Sequence, residues 1–242
     1  MGNNPFMGEF KRAFNFPPVP NSNKSKQARE KFKEKLRAEI KTNFVYTHEI
    51  RLTITLYFDE ERRLETSKYA DLDNYAKSIC DAIKGRGGII IDDCQIQQLC
   101  ISWIDHLEEP RFEIKINSGP DDFCSKDLAL YEMDDGLFYP VPNDMNDCQQ
   151  NIPFYFLKSL SNMISLKKKF RHSYRQKGMP QYLAYQRSTG ISPILWGFHK
   201  TRIIDSGFSI IAKAEWTEKY ESWKSIPENK EIVIALERET KI

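Results

Sequence analysis

Apolar and polar residues follow two periods along the first half of the chain. Over 48–58, Ile50, Leu52, Ile54, Leu56 and Phe58 face one way and Arg51, Thr53, Thr55 and Tyr57 the other, the period of two that predicts a half-buried strand. Over 25–43 the period becomes helical, with Ala28, Phe32, Leu36 and Ile40 as one stripe. A second helix is predicted from Ala76, Ile79, Cys80 and Ile83, spaced i, i+3, i+4 and i+7. Asp73 is its expected N-cap, because a carboxylate there accepts from first-turn N–H groups. Lys84-Gly85-Arg86-Gly87-Gly88 ends it, since glycine tolerates the left-handed conformation that stops a helix. Residues 89–91, three isoleucines, read as a short buried strand, 95–104 as another and 111–116 as its hairpin partner. Residues 1–12 read as a loose arm, 13–16 as a short strand closed by Pro17-Pro18-Val19-Pro20-Asn21, and 59–69 as a charged loop.

The second half reads differently. Residues 119–150 combine Pro120, Pro140 and Pro142 with many acids, the composition of a linker or irregular insertion. A long helix is predicted over 153–177, with Phe154, Leu157, Leu160 and Ile164 on its apolar side, and strands over 193–198, 208–216 and 231–236. The expected organisation is an α/β (α+β) domain with a mixed sheet at 1–119, an acidic linker or insertion at 120–152 and a C-terminal basic α+β module at 153–242.

Charge sharpens this division. Residues 11–41 hold ten Lys/Arg against three Asp/Glu (net +7), 118–152 hold one against eight (net −7), and 153–242 hold sixteen against eight (net +8). Basic surfaces attract phosphate backbones through counterion release. Lys24, Lys26, Arg29 and Lys33 on the first helix, and Lys167, Lys168, Lys169, Arg171 and Arg175 on the long one, are candidate DNA contacts. The alternative is a pair of solvated faces, with Glu30, Glu34 and Glu39 making ordinary helix pairs and the later cations favouring a helix C-terminus. Tyr174, Tyr182, Tyr185 and Arg187 interleave rings and charge, which suits either stacking on unpaired bases or interfacial packing.

The five cysteines form no C-x-x-C pair and lie outside ligand spacing with any of the four histidines, which argues against a zinc site or a disulfide framework. No apolar run approaches the roughly 18–20 residues needed to span a bilayer, and residues 1–16 lack a signal-peptide apolar block, so a cytoplasmic location without membrane contact is expected. Lys84 to Gly88 is not a Walker loop, and D-L-D-N is not an EF-hand.

The chemistry concentrates between Ala70 and Ile96. Asp71 and Asp73 precede the second helix, and Asp92 and Asp93 close the short strand, where adjacent carboxylates resist desolvation. If helix and strand fold back on each other, Asp71, Asp73 and Asp93 can meet, and only a cation would join them. Hard oxygen ligands suit Mg²⁺ or Mn²⁺. The competing reading is a helix face with Asp73–Lys77 and Lys77–Asp81 pairs at i,i+4.

The run D-L-D-N-x-x-K, then D-A-I, then I-D-D-x-Q-I, resembles the RusA-like Holliday junction resolvases over roughly residues 13–117, and the strand followed by P-P-x-x-N resembles their opening. Asp71, Asp73, Asn74, Lys77, Asp81, Asp92, Asp93 and Gln95 stand at matching places. The resemblance implies a Mg²⁺-dependent endonuclease, usually a homodimer, acting on branched DNA. It makes Asp71, Asp73 and Asp93 the metal ligands and Lys77 the phosphate clamp, with Asn74, Asp81, Asp92 and Gln95 in support. Asp92 is expected behind the ligands or facing solvent, since successive strand residues point to opposite faces. The alternatives are a DNA-binding protein that does not cut, or a mobile-element or phage-defence nuclease whose residues 153–242 recruit or regulate a protein partner.

Overall fold

The structure, a computed structural model, describes residues 7–21, 26–67, 69–143, 152–189 and 196–239. The chain divides into two compact units, Met1–Lys126 with Asp205–Gly207, and Asp127–Ile204 with Phe208–Ile242.

Unit 1 runs β1 (Glu9–Phe14), α1 (Lys26–Ile40), β2 (Phe44–Tyr46), β3 (Ile50–Phe58), α2 (Glu60–Glu65), α3 (Leu72–Ile83), β4 (Ile96–Asp105), β5 (Arg111–Asn117) and β6 (Phe123–Ser125). Its main sheet has the order β1-β5-β3-β4, antiparallel except for the parallel β3–β4 pair. The mixed sheet is as expected, but the β4–β5 hairpin is not. Instead, β5 inserts between β1 and β3. Its inward residues Phe112, Ile114 and Ile116 are fully buried opposite Leu56, Ile54 and Leu52. Most side chains of β4 remain exposed, which suits a sheet edge. The presumed N-terminal arm contributes to β1, where Phe10 and Phe14 are buried opposite Ile116 and Phe112.

The amphipathic faces of α1 and α3 complete the core: Phe32, Leu36 and Ile40 from one, Ile79, Ala82 and Ile83 from the other. Ala28 is exposed, so the α1 stripe begins at Phe32. The expected loop 59–69 contains α2, whose first turn is capped by Asp59 accepting from the Arg62 N–H.

Unit 2 runs β7 (Leu128–Glu132), β8 (Phe138–Pro142), α4 (Ile152–Gln176), α5 (Gln181–Thr189), α6 (Lys200–Ile203), β9 (Ser209–Ile211), α7 (Lys213–Lys224) and α8 (Lys230–Glu239), with sheet order β8-β7-β9. The described part of the expected linker 120–152 therefore carries β6, β7 and β8. Of the three strands predicted near the C-terminus, 208–216 yields only β9 before turning helical, and 231–236 lies in α8. Trp216, Tyr220 and Trp223 are spaced i, i+4 and i+7 and bury one helix face against Leu157, Leu160 and Ile164 of α4. Val233 is buried while Ile232 and Ile234 are exposed, so tertiary packing overrides the β propensity of that run. Residues 193–195 lie outside the described residues, while Phe198 bridges Phe138 through two hydrogen bonds of 2.8 Å. No helix among the described residues is long and apolar enough to cross a membrane.

Candidate active site

The approach to α3 is set by aromatic packing. Tyr69 stacks on Phe58 with ring centroids 4.5 Å apart, and the Ala70 N–H donates to the Tyr75 hydroxyl at 3.4 Å. Asp71, not Asp73, is the N-cap residue, with extended backbone and no side-chain cap bond. Asp73 lies inside the first turn, where a negative charge also suits the helix dipole. Both are exposed. The loop holding Pro17 and Pro18 docks here: the Asn21 N–H donates to the Asn74 carbonyl at 2.9 Å, and Arg29 donates to the Asn21 side chain. Arg29 is thus a half-buried packing residue of this corner. Lys26 is exposed, Lys33 is half-buried, and Lys24 lies outside the described residues.

At the other end of α3, Arg37 of α1 donates from Nε to the Ala82 carbonyl at 3.0 Å and from a terminal nitrogen to the Lys84 carbonyl. These are carbonyls that a helix end leaves without intrahelical partners. Burial holds the Arg37 guanidinium below its ordinary pKa, partly offset by Glu30. The chain then reverses tightly, with the Ile89 N–H on the Ile83 carbonyl at 2.7 Å. Gly88 is required there, since a Cβ would lie 1.8 Å from the Ile83 oxygen. Residues 89–91 are buried as expected, though they make bridges to Tyr46 and Lys84 rather than a full ladder.

A 3₁₀ turn, Asp93–Gln95, follows. Asp92 is buried, only 3% exposed, and its carboxylate accepts from the Cys94 N–H at 3.1 Å. It supports the turn from inside rather than facing solvent. Gln95 is fully buried and uses both ends of its amide. Its Oε1 accepts from the Ile91 and Asp92 N–H groups at 2.7 and 3.1 Å, and its Nε2 donates to the Tyr46 and His48 carbonyls, both at 2.9 Å. One side chain therefore joins β2 to the turn that bears Asp93.

Charged groups form a strip along α3. Lys77 Nζ is 3.7 Å from Asp81, Lys84 Nζ is 3.1 Å from Asp81, and Lys84 Nζ is 3.3 Å from Asp93. Burial works against the Lys84 charge, but Asp81 and Asp93 outweigh it and hold its pKa above the ordinary value. The buried Cys80 thiol is pushed up to about 11, by burial first and then by Asp93 and Asp81. The Lys77–Asp81 pair of the helix-face reading is thus present.

The expected meeting of Asp71, Asp73 and Asp93 is not: among the described residues no three His, Cys, Asp or Glu side chains are grouped to hold a metal ion. Asp73 and Asp81 are eight positions apart on the helix, about 12 Å of rise, and Asp93 is engaged by Lys84 beside Asp81. Lys84, in the turn that ends α3, is a further residue of this strip. The signal for it was the spacing of Asp73, Lys77, Asp81 and Lys84 at four, four and three, a single helix stripe. The donors still fit a hard divalent cation in kind, since they are all carboxylates, and an ammonium already lies between two of the strip's acids.

A mixed four-stranded sheet, covered by two helices, with carboxylates at the start of α3 and in the 3₁₀ turn before β4, describes an α+β unit. Residues 11–117 match the family model for endodeoxyribonuclease RusA. The match spans a little under half of the chain and lies within unit 1. No curated protein matches the chain. Among the described cysteines, Cys80, Cys94, Cys100 and Cys124 form no disulfide.

Proposed function

We propose that unit 1 is a divalent-cation-dependent endonuclease for branched DNA, with Holliday junctions as its substrate class. The observation that carries this reading is the match of residues 11–117 to endodeoxyribonuclease RusA, over a stretch that includes Asp71, Asp73, Lys77 and Asp93. Those three carboxylates, ungrouped in this structure, would hold Mg²⁺ or Mn²⁺ once Asp93 leaves Lys84 and the start of α3 and the Asp93 turn draw together on the ion. Such an ion supplies Lewis acidity and charge neutralisation at a scissile phosphate. Lys77, exposed one turn after Asp73, offers a point cation to charge developing on the leaving 3′ oxygen. Asp92 and Gln95 hold the backbone from which Asp93 projects. Lys26 and Lys33 contribute positive charge for phosphates, as do Lys167, Lys168, Lys169, Arg171 and Arg175 in unit 2. A homodimer suits a two-fold substrate, and the exposed edge strand β4, with Leu99 and Ile104 uncovered, is a candidate contact between copies.

A second reading, a protein that grips branched DNA without cutting, is favoured by one observation: Lys84 engages Asp93 and leaves it less open to a metal. Size exclusion with a labelled four-way junction, followed by incubation in Mg²⁺, Mn²⁺ or EDTA, separates the two. The nuclease reading predicts a stable complex that yields nicked arms with either metal and none in EDTA. A complex that stays intact in both metals supports the binder.

A further inference from the structure

Unit 2 contains two adjoining hollows that share Lys168 and Arg171 as a common wall. The larger, about 480 Å³, is lined by Lys169, His172 and Arg175 as well, with Asp134 as its acid. The smaller, about 210 Å³, has a different wall, made by the rings of Tyr139, Tyr185 and Trp196. Its size lies below the range that drug-sized ligands usually occupy, so it suits a single flat ring system and not a base pair.

The aromatic wall is built, not incidental. Tyr139 of β8 is buried, and its hydroxyl donates to the Asp135 carboxylate at 2.7 Å, which fixes the ring. The chain at Gly197 passes directly over that ring: a Cβ there would lie 2.6 Å from Tyr139 Cζ and 2.9 Å from Leu137 Cβ. The paired hydrogen bonds of Phe198 with Phe138 hold Trp196 beside the hollow. Tyr185 of α5 is 44% exposed and closes the other side.

The charges are unbalanced towards the cations. Asp134 is paired with Lys213, and Asp135 is engaged by the Tyr139 hydroxyl. Lys168, Lys169, Arg171 and Arg175 make no ion pair with another described residue. Lys167, on the wall of the smaller hollow, has its pKa held below the ordinary value, by burial first and then by Arg171. A ligand for this place brings an anion to α4 and a ring to the tyrosines.

We infer that the double hollow binds an unpaired nucleotide of a DNA strand, its base against Tyr185 and Trp196 beside the fixed Tyr139 and its phosphate on Lys168 and Arg171. Bases within a duplex already stack on each other, so a ring-lined pocket selects single strand over duplex, whereas the cations alone would not. A branch point supplies unpaired nucleotides, but this inference does not depend on unit 1 cutting DNA.

The test uses the full chain in EDTA, with a fluorescent twelve-nucleotide dT strand and a twelve-base-pair duplex as ligands. Tyr185→Ala is expected to weaken binding of the dT strand about tenfold and to leave duplex binding unchanged, with Tyr185→Phe close to the parent. Trp196→Ala, chosen at a half-buried site, is expected to repeat the pattern. Lys168→Gln with Arg171→Gln weakens both ligands and lowers the salt dependence by about two released counterions. Equal dT affinity in Tyr185→Ala, Trp196→Ala and the parent would overturn the inference, as would equal losses on strand and duplex in either aromatic variant. Displacement of the strand by micromolar dTMP would overturn the strand assignment in favour of a free nucleotide. None of these readouts involves cleavage, so failure of the nuclease reading and failure of this inference are separate results.

Discussion

Lys84 sits between Asp81 and Asp93, and its position is the main difference between the expected site and the observed one. An ammonium 3.3 Å from Asp93 competes for the carboxylate that a divalent ion would also use. Lys84→Gln should therefore raise Mn²⁺ affinity several-fold, measured by calorimetry on the protein without DNA. Its effect on stability should stay below about 1 kcal/mol, because the pairs are partly exposed. An unchanged Mn²⁺ affinity would show that Lys84 does not compete with the metal. Gln95 acts in the opposite sense, through the fold. Its four hydrogen bonds join β2 to the turn, and Gln95→Ala leaves those backbone groups buried without their partner. A loss of about 3 kcal/mol is expected in urea unfolding. Gln95→Glu is no rescue, since it replaces the donor pair with an oxygen that faces two carbonyls. A midpoint equal to the parent's for Gln95→Ala would refute this role.

At the scale of elements, amphipathic periodicity carries directly into the structure. The apolar stripes of α1, α3 and α4 and the alternating face of β3 all face the core. What the sequence could not supply was pairing. Nothing local in Arg111–Asn117 says that it lies between β1 and β3, because that depends on which partners bury Phe112, Ile114 and Ile116. In unit 2, β-branched runs such as 231–236 have strand propensity, and packing on α4 and its neighbours decides for helix. The candidate site was legible as a set of residue types, because its acids flank one helix and one short strand. The place where Asp93 meets α3, beside Lys84, was not, because it depends on the length of the return from Gly88 to Asp93. Gly88 makes that return possible, and Gly88→Ala places a Cβ 1.8 Å from the Ile83 oxygen. The turn must then open, with a cost of about 3 kcal/mol or more, read as a lowered Tm. A variant as stable as the parent would mean that the reversal at Gly88 is looser than it appears.

At the scale of the whole molecule, two units carry the basic residues, and β4 is an exposed edge strand of the main sheet of unit 1. If β4 joins two copies, Leu99→Lys with Ile104→Lys should give a monomer in light scattering where the parent is a dimer. A dimer that survives both changes would place the contact elsewhere. If Asp71, Asp73 and Asp93 form the cutting site of a junction nuclease, their variants separate four-way junction cleavage from junction affinity. Asp71→Asn, Asp73→Asn and Asp93→Asn keep side-chain shape while each removes one ligand charge. Cleavage in Mg²⁺ should fall by at least a hundredfold, about 2.7 kcal/mol of barrier. Binding in EDTA should hold or strengthen, because a negative charge beside the phosphates is lost. Lys77→Ala should lose cleavage while retaining Mn²⁺ binding. If the three Asp variants cut as fast as the parent, these carboxylates are not the site.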